Sequence, residues 1–300
     1  MDNPEQGQAE MGTRDLSGDA LTREVLACFA GAEPARFREV VQSLVRHLHA
    51  FAREVNLTEE EWLAGIEFLT RTGQMCSDQR QEFILLSDTL GLSMQVVGIN
   101  HPAAGGSTES TVFGPFFVPN SPRYRNGDNL ANGAPGEPCF VSGQVRSATT
   151  GESLGGAQLE IWQADDEGLY DVQRANLPAP QGRGQLETDA AGRFWFWTVK
   201  PVPYPIPYDG PVGELLAAAR RSPMRPAHIH FRVSAAGYRP VTTHVFVSGD
   251  PYLDSDAVFG VKESLIAPFE RHEPGTAPDG TAQRQPFYTM RYDFALLPTA

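Results

Sequence analysis

The chain is poor in positive charge. It carries 24 lysines and arginines against 37 aspartates and glutamates, for a formal net charge of −13 at pH 7. Such a chain has no basic face to offer phosphates, so nucleic acid and anionic membrane are excluded as expected partners. Cysteine is scarce too. Cys28, Cys76 and Cys139 stand far apart with no CxxC pair, which points to a reducing cytoplasm rather than a disulfide framework. No apolar run approaches the roughly 18 residues a membrane span requires. The start, MDNPEQGQAEMGTRDLSGD, lacks the basic, then apolar, order of a signal peptide. There is no GxGxxG, no Walker loop and no GxSxG, so nucleotide and serine-hydrolase chemistry have no foothold.

What is present divides the chain. A tail over residues 1–18, expected to be mobile, precedes a helical stretch over 19–105. There Val41, Leu44, Val45, Leu48, Phe51 and Val55 recur at three- and four-residue steps, the mark of one apolar helical stripe. Thr58 stands three residues before Glu61 as a capping box for a helix carrying Trp62, Ile66 and Leu69. Ser77 or Asp78 is expected to open another helix, with Phe83, Leu86 and Leu90 on one side and Gly91 as its C-terminal cap. After HPAAGGSTES, segments such as PCFVSGQVR, GRFWFWTVK and PVTTHVFV read as strands. Glycine (29) and proline (24) punctuate them. Strands in series without long intervening helices imply an α+β chain, with a helical domain followed by an antiparallel β-sandwich over 106–300.

Within the strand-rich part, RPAHIHFRV places His228 and His230 on one face of a strand and Ile229, Phe231 and Val233 on the other. The imidazole face is either plain surface or a metal site. A cupin would supply a glutamate soon after; FRVSAAGYRP holds no acid. A ferrous site with two histidines and one carboxylate stays open. Two tyrosines stand out nearby in composition: Tyr170 in QADDEGLYDVQ, after a strand, and Tyr204 in the proline-braced loop KPVPYPIPYDGPVG.

In order along the chain, TVFGPFF, GLYD, PVPYPIP, RPAHIHF and SGDPYLDSDAVFG resemble the intradiol ring-cleavage dioxygenases. The stretches STESTVFGPFF and DPYLDSDAVFG narrow the resemblance to the hydroxyquinol-cleaving branch. The resemblance covers nearly the whole chain. It implies one ferric ion per chain, Fe(3+), held by Tyr170, Tyr204, His228 and His230. Its substrates would be dioxygen and a small aromatic diol or triol. It gives Tyr204 a further role as a base and Arg225 the stabilisation of developing negative charge. It also implies a homodimer through the helical domains, with a lipid at their interface. A hard trivalent cation suits anionic oxygen donors and accepts imidazole, so two phenolates and two neutral histidines are a chemically consistent set.

The resemblance further implies a pocket drawn from two stretches. Leu85 and Asp88 come from FILLSDTLG. Val112, Phe113, Gly114, Pro115 and Phe116 come from TVFGPFF, joined by Ile206, Pro207 and Arg225. Asp88 either accepts a hydrogen bond from the third hydroxyl of a triol or lies on the wet side of its helix. His244 stands where the catechol-cleaving branch would carry glutamine, which leaves its role open. His47, His49, His101 and His272 are read as structural. Two other classes remain at this stage: a zinc or iron hydrolase or lyase using the same H-x-H, and a non-catalytic sandwich that binds small molecules.

Overall fold

A computed structural model of the chain describes residues 13–77, 80–102 and 104–299. The chain forms two compact units, residues 1–70 and 71–300.

The first unit is helical. Helix α1 (Gly18–Cys28) packs on α2 (Ala35–Glu54), and α3 (Glu59–Gln74) begins behind them in sequence. Polar side chains join α1 to α2. Thr22 Oγ1 lies 3.0 Å from His49 Nδ1 and accepts a hydrogen bond from Arg53 at 3.1 Å, so His49 is a structural residue. The capping box forms: Thr58 Oγ1 accepts from the Glu61 amide at 3.2 Å, and the Glu61 carboxylate accepts from the Thr58 amide at 3.0 Å. The apolar stripe on α2 is exposed within this unit, with Leu44, Leu48 and Phe51 each more than half accessible. Helix α1 starts at Gly18, one residue inside the expected tail; residues 1–12 of that tail lie outside the described ones.

The second unit opens with a correction. No helix starts at Ser77. Its hydroxyl accepts from the Arg80 amide at 3.1 Å in a turn, and Asp78 lies outside the described residues. Helix α4 (Glu82–Thr89) begins later and is followed by α5 (Leu92–Asn100). The face Phe83, Leu86, Leu90 is not the buried one either. Phe83 and Leu90 are exposed, and the buried side carries Glu82, Leu85, Leu86, Asp88 and Thr89. An eight-residue helix holds too few turns for its own periodicity to decide which side is covered. Gly91 does end α4, at a φ of 75°, the left-handed conformation glycine takes at lowest cost. The fully buried Glu82 carboxylate accepts from Arg80 at 2.9 Å and from the Val212 amide at 3.2 Å. It thereby joins α4 to the first turn of α6 (Pro211–Ala218). No single helix among the described residues is long and apolar enough to cross a membrane.

The strands form two five-stranded sheets. One contains β1 (Pro138–Ser147), β4 (Arg193–Val199), β10 (Phe269–His272), β13 (Phe287–Arg291) and β14 (Phe294–Leu296). The other runs in the order β3 (Arg183–Glu187), β2 (Gln158–Trp162), β7 (His228–Ser234), β8 (Val241–Val247), β9 (Ile266–Ala267). Two short pairs stand apart, β5 (Tyr204–Pro205) with β6 (Met224–Arg225), and β11 (Gly275–Thr276) with β12 (Ala282–Gln283). Most ladders are antiparallel, but β1 runs parallel to both β13 and β14, and β8 parallel to β9. The break between β13 and β14 falls opposite Gly143, where a Cβ would sit 1.8 Å from the Tyr292 carbonyl oxygen. Between the sheets, Val141, Val145, Leu159, Ile161, Phe196, Ile229, Phe231 and Val233 form one core. His272 ends β10; it stacks on Phe287 and meets Thr289 at 2.8 Å.

Candidate metal and substrate site

The first half of strand β7 is buried on both faces. Ile229, Phe231 and Val233 enter the sandwich core, while His228 and His230, each 1 % exposed, enter a second apolar region. The plain-surface reading of H-x-H is therefore excluded. The His228 Nδ1 sits 2.6 Å from the Pro226 carbonyl oxygen. A carbonyl can only accept, so Nδ1 carries the proton and Nε2 presents its lone pair. That Nε2 is 3.2 Å from His230 Nε2, 3.3 Å from the Tyr204 hydroxyl and 3.2 Å from an Arg225 nitrogen. The Tyr204 hydroxyl is in turn 2.9 Å from that of Tyr170. Donor atoms far apart in sequence thus meet at one point.

Three parts of the fold place the four donors, with both histidines on β7. Tyr170 precedes a 3-10 turn over Asp171–Gln173, and its ring stacks on Phe116 at 4.4 Å. Asp171 is held by Arg183, whose Nε donates to both carboxylate oxygens at 2.8 Å and whose other arm donates to the Phe116 carbonyl at 3.0 Å. Tyr204 lies in β5 rather than in an irregular loop, paired across the ladder with Arg225. His230 stacks on Trp162 at 4.7 Å, its cross-strand neighbour on β2. Gly114, at a φ of 74°, lies against the same imidazole; a Cβ there would be 3.1 Å from it.

The four candidate donors are held in their neutral forms. Burial pushes His228 down to about 3, and Arg225 adds to the effect. Burial, then the neighbouring His228 and Arg225, hold His230 well below the ordinary imidazole value. Burial raises both tyrosines above the usual phenol value. Two neutral imidazoles and two phenols around one point form a nitrogen and oxygen donor set that suits a hard cation. His230 Nδ1 and His244 Nε2 are buried without a hydrogen-bond partner. His244 faces His230 across the β7–β8 ladder, ring to ring at 4.1 Å, and its Nδ1 is 2.7 Å from the Thr111 hydroxyl. One ring nitrogen from each of His228, His230 and His244 lies within 4.8 Å of the others.

Beside these donors is a narrow cleft. Leu85, Asp88, Val112, Gly114, Pro115, Phe116, Ile206, Pro207 and Arg225 line it, together with Val258, Tyr204 and His230. Of the wall expected from sequence, Phe113 alone does not. It packs instead on Phe117 at 4.5 Å and on Trp162 at 5.7 Å, and is 41 % exposed. Asp88 is on the cleft side of α4 and 4 % exposed, not on a wet face. Burial raises its carboxyl above the usual value, offset in part by a hydrogen bond to Ser93 and by Arg225.

Sequence reasoning passed over Asp256, Val258 and Trp162. Asp256 forms a buried ion pair with Arg225, at 3.0 and 3.3 Å. That contact spans 31 residues and leaves no periodic signal. Trp162 had one: β2 ends with Ile161 and Trp162 both buried, a break in the strict alternation of a sandwich strand.

Comparisons with known proteins agree in chemistry. Residues 112–298 match a family model described as Dioxygenase, and residues 34–108 one described as Catechol dioxygenase N terminus. The chain is 54 % identical over 279 residues to a 6-chlorohydroxyquinol 1,2-dioxygenase of Cupriavidus pinatubonensis, covering 93 % of this chain and 97 % of the relative. It is 50 % identical to a hydroxyquinol 1,2-dioxygenase of Nocardioides simplex, covering 93 % and 94 %. The crystal structure of hydroxyquinol 1,2-dioxygenase from Pseudomonas putida DLL-E4 superposes with a TM-score of 0.86 at 47 % identity, over 93 % of this chain and 98 % of the other.

Proposed function

The chain belongs to the intradiol ring-cleavage dioxygenases, and on that premise we propose that its substrate is hydroxyquinol, benzene-1,2,4-triol. Dioxygen opens the ring between the two adjacent hydroxyl-bearing carbons and both its atoms enter the product, 3-hydroxy-cis,cis-muconate, the tautomer of maleylacetate. The observation that carries the substrate assignment is Asp88, a buried carboxyl in the wall of an otherwise apolar cleft.

Tyr170, Tyr204, His228 and His230 are the proposed ligands of one ferric ion. When bound, that ion supplies the positive charge that holds the diol as an oxyanion and makes the ring reactive toward dioxygen. The remaining work falls to side chains. As the phenolate that a bound ferric ion would leave it, Tyr204 Oη would take the proton of one substrate hydroxyl and return to the phenol; its oxygen stands among the candidate donors, beside Tyr170 and His228. Arg225, fixed by Asp256, holds a donor beside His228 where negative charge builds on the ring. Leu85, Val112, Ile206 and Val258 give the ring apolar walls. Asp88 accepts a hydrogen bond from the third hydroxyl, which catechol lacks.

Two helices of residues 19–105 carry half-exposed apolar stripes, with Leu44, Leu48 and Phe51 on α2 and Trp62, Leu63 and Ile66 on α3. They support a homodimer through the helical domain, with a lipid chain at the interface; the three free, widely spaced cysteines support a reducing cytoplasm as its place. Residues 106–300 are the proposed catalytic domain.

Turnover under ¹⁸O₂ tests the reaction. Two labelled oxygens in the ring-opened product are expected. Incorporation of a single label, or a product with its carbon ring intact, overturns it.

A further inference from the structure

Two walls of the cleft come from segments that are distant in sequence. Helix α4 brings Leu85 and Asp88. The segment 256–260 brings Asp256, which fixes Arg225, and Val258. Neither wall is in a β-ladder with the other. One side chain outside the cleft joins them. Arg221 donates from one terminal nitrogen to the Thr89 carbonyl at 2.6 Å and from the other to the Ala257 carbonyl at 3.0 Å. Its guanidinium lies 4.7 Å from the centre of the Phe259 ring. Thr89 follows Asp88, and Ala257 precedes Val258. Phe259 is itself in the left-handed region, at a φ of 59°, and its ring lies against Gly91, the residue that ends α4.

We propose that Arg221 is a positioning residue for substrate choice, setting the span between Asp88 and Val258 and with it the place of the third hydroxyl. The proposal deepens the hydroxyquinol reading and rests on it. A planar fork that is always charged can hold two carbonyls and stack on a ring at once. A lysine offers its N–H groups from a single nitrogen, so it cannot occupy both donor positions of the fork and has no planar face to lay on Phe259. A hydrogen bond from a hydroxyl to Asp88 requires about 2.5–3.0 Å between oxygens, so a small widening loses it. Contact of a flat ring with apolar walls tolerates the same widening. The clamp should therefore matter for a triol and much less for a diol.

The test is steady-state oxygen uptake by the iron-loaded full-length enzyme with hydroxyquinol and with catechol, for wild type, Arg221→Met, Arg221→Lys and Phe259→Leu. Arg221→Met should lower kcat/KM for hydroxyquinol roughly tenfold, the scale of one misplaced polar contact. Catechol should change by less than about twofold on the same grounds. Arg221→Lys should resemble Arg221→Met, and Phe259→Leu should show a smaller shift of the same sign. Iron content and the visible absorption band should stay at wild-type values, which a general loss of structure would not allow. An equal fall for both substrates, or an unchanged ratio in Arg221→Met, overturns the proposal while leaving the function reading intact. A wild type that prefers catechol overturns the function reading itself. Should Arg221→Met not fold, Arg221→Lys and Phe259→Leu decide by the same ratio.

Discussion

The Tyr170 and Tyr204 hydroxyls lie 2.9 Å apart in a buried site, 34 residues apart in sequence. Two phenols pushed above their ordinary value by burial gain most from a shared cation. Tyr170→Phe should shift or bleach the visible band of phenolate bound to ferric iron. Tyr204→Phe should keep part of its iron yet turn over roughly 100-fold more slowly, the scale of a lost general base. His228→Ala should lose the metal. Absorption spectra with metal analysis check all three. Stoichiometric zinc with no iron in wild type would remove the assignment.

Asp88 carries a cost in stability. Its carboxyl is raised above the ordinary value by burial, so the folded protein binds that proton more tightly than the unfolded chain. Stability is then highest below the unfolded value and declines as pH rises through the folded one. Asp88→Asn, which cannot ionise, should melt higher than wild type at pH 7, with the advantage shrinking as pH falls through the raised value towards the usual carboxylate range and gone below it. A melting series across pH reads this directly. Equal melting points at pH 7 would mean the carboxyl pays no penalty for its burial.

Arg183 and Asp171 are both nearly inaccessible and pair beside Tyr170. Arg183→Met leaves Asp171 charged without its ion-pair partner, held by the Val172 and Gln181 amides, which costs about 3–5 kcal/mol for a buried pair. A large drop in denaturant midpoint is expected. The double variant Arg183→Met, Asp171→Leu should recover much of it, and a single variant as stable as wild type would contradict the pairing.

Glu82 is the corresponding joint between α4 and α6. Glu82→Ala strands the Val212 amide and one arm of Arg80, at a cost of about 1–3 kcal/mol for the unsatisfied groups. Glu82→Gln should cost less because it can still accept from Val212. Urea midpoints for the two variants give the order, and the reverse order would exclude this role.

Much of this was readable in the sequence because it rests on local rules. Alternation placed Ile229, Phe231 and Val233 in the core, and the Thr58–Glu61 spacing marked a helix start. The cleft wall came from the family resemblance, and Phe113 left it because two aromatic neighbours hold its ring elsewhere. The start and buried face of α4 were misjudged, since tertiary contacts of Glu82 and Asp88 outweigh periodicity in so short a helix. Alternation is also the same for parallel and antiparallel neighbours, so the parallel pairing of β1 with β13 and β14 had no signature. The pairing of Asp256 with Arg225 had no signature for a similar reason: the two are brought together by the fold alone.

The most direct test of the account is the ratio of kcat/KM for hydroxyquinol and catechol, measured by oxygen uptake on wild type and Asp88→Ala. A buried polar group left unpaired costs on the order of 1–3 kcal/mol, which is roughly ten- to a hundredfold in the ratio. Wild type should therefore favour hydroxyquinol by at least about tenfold, and Asp88→Ala should narrow the gap by slowing hydroxyquinol while catechol changes little. A wild type that prefers catechol, or a ratio unmoved by Asp88→Ala, would contradict the account.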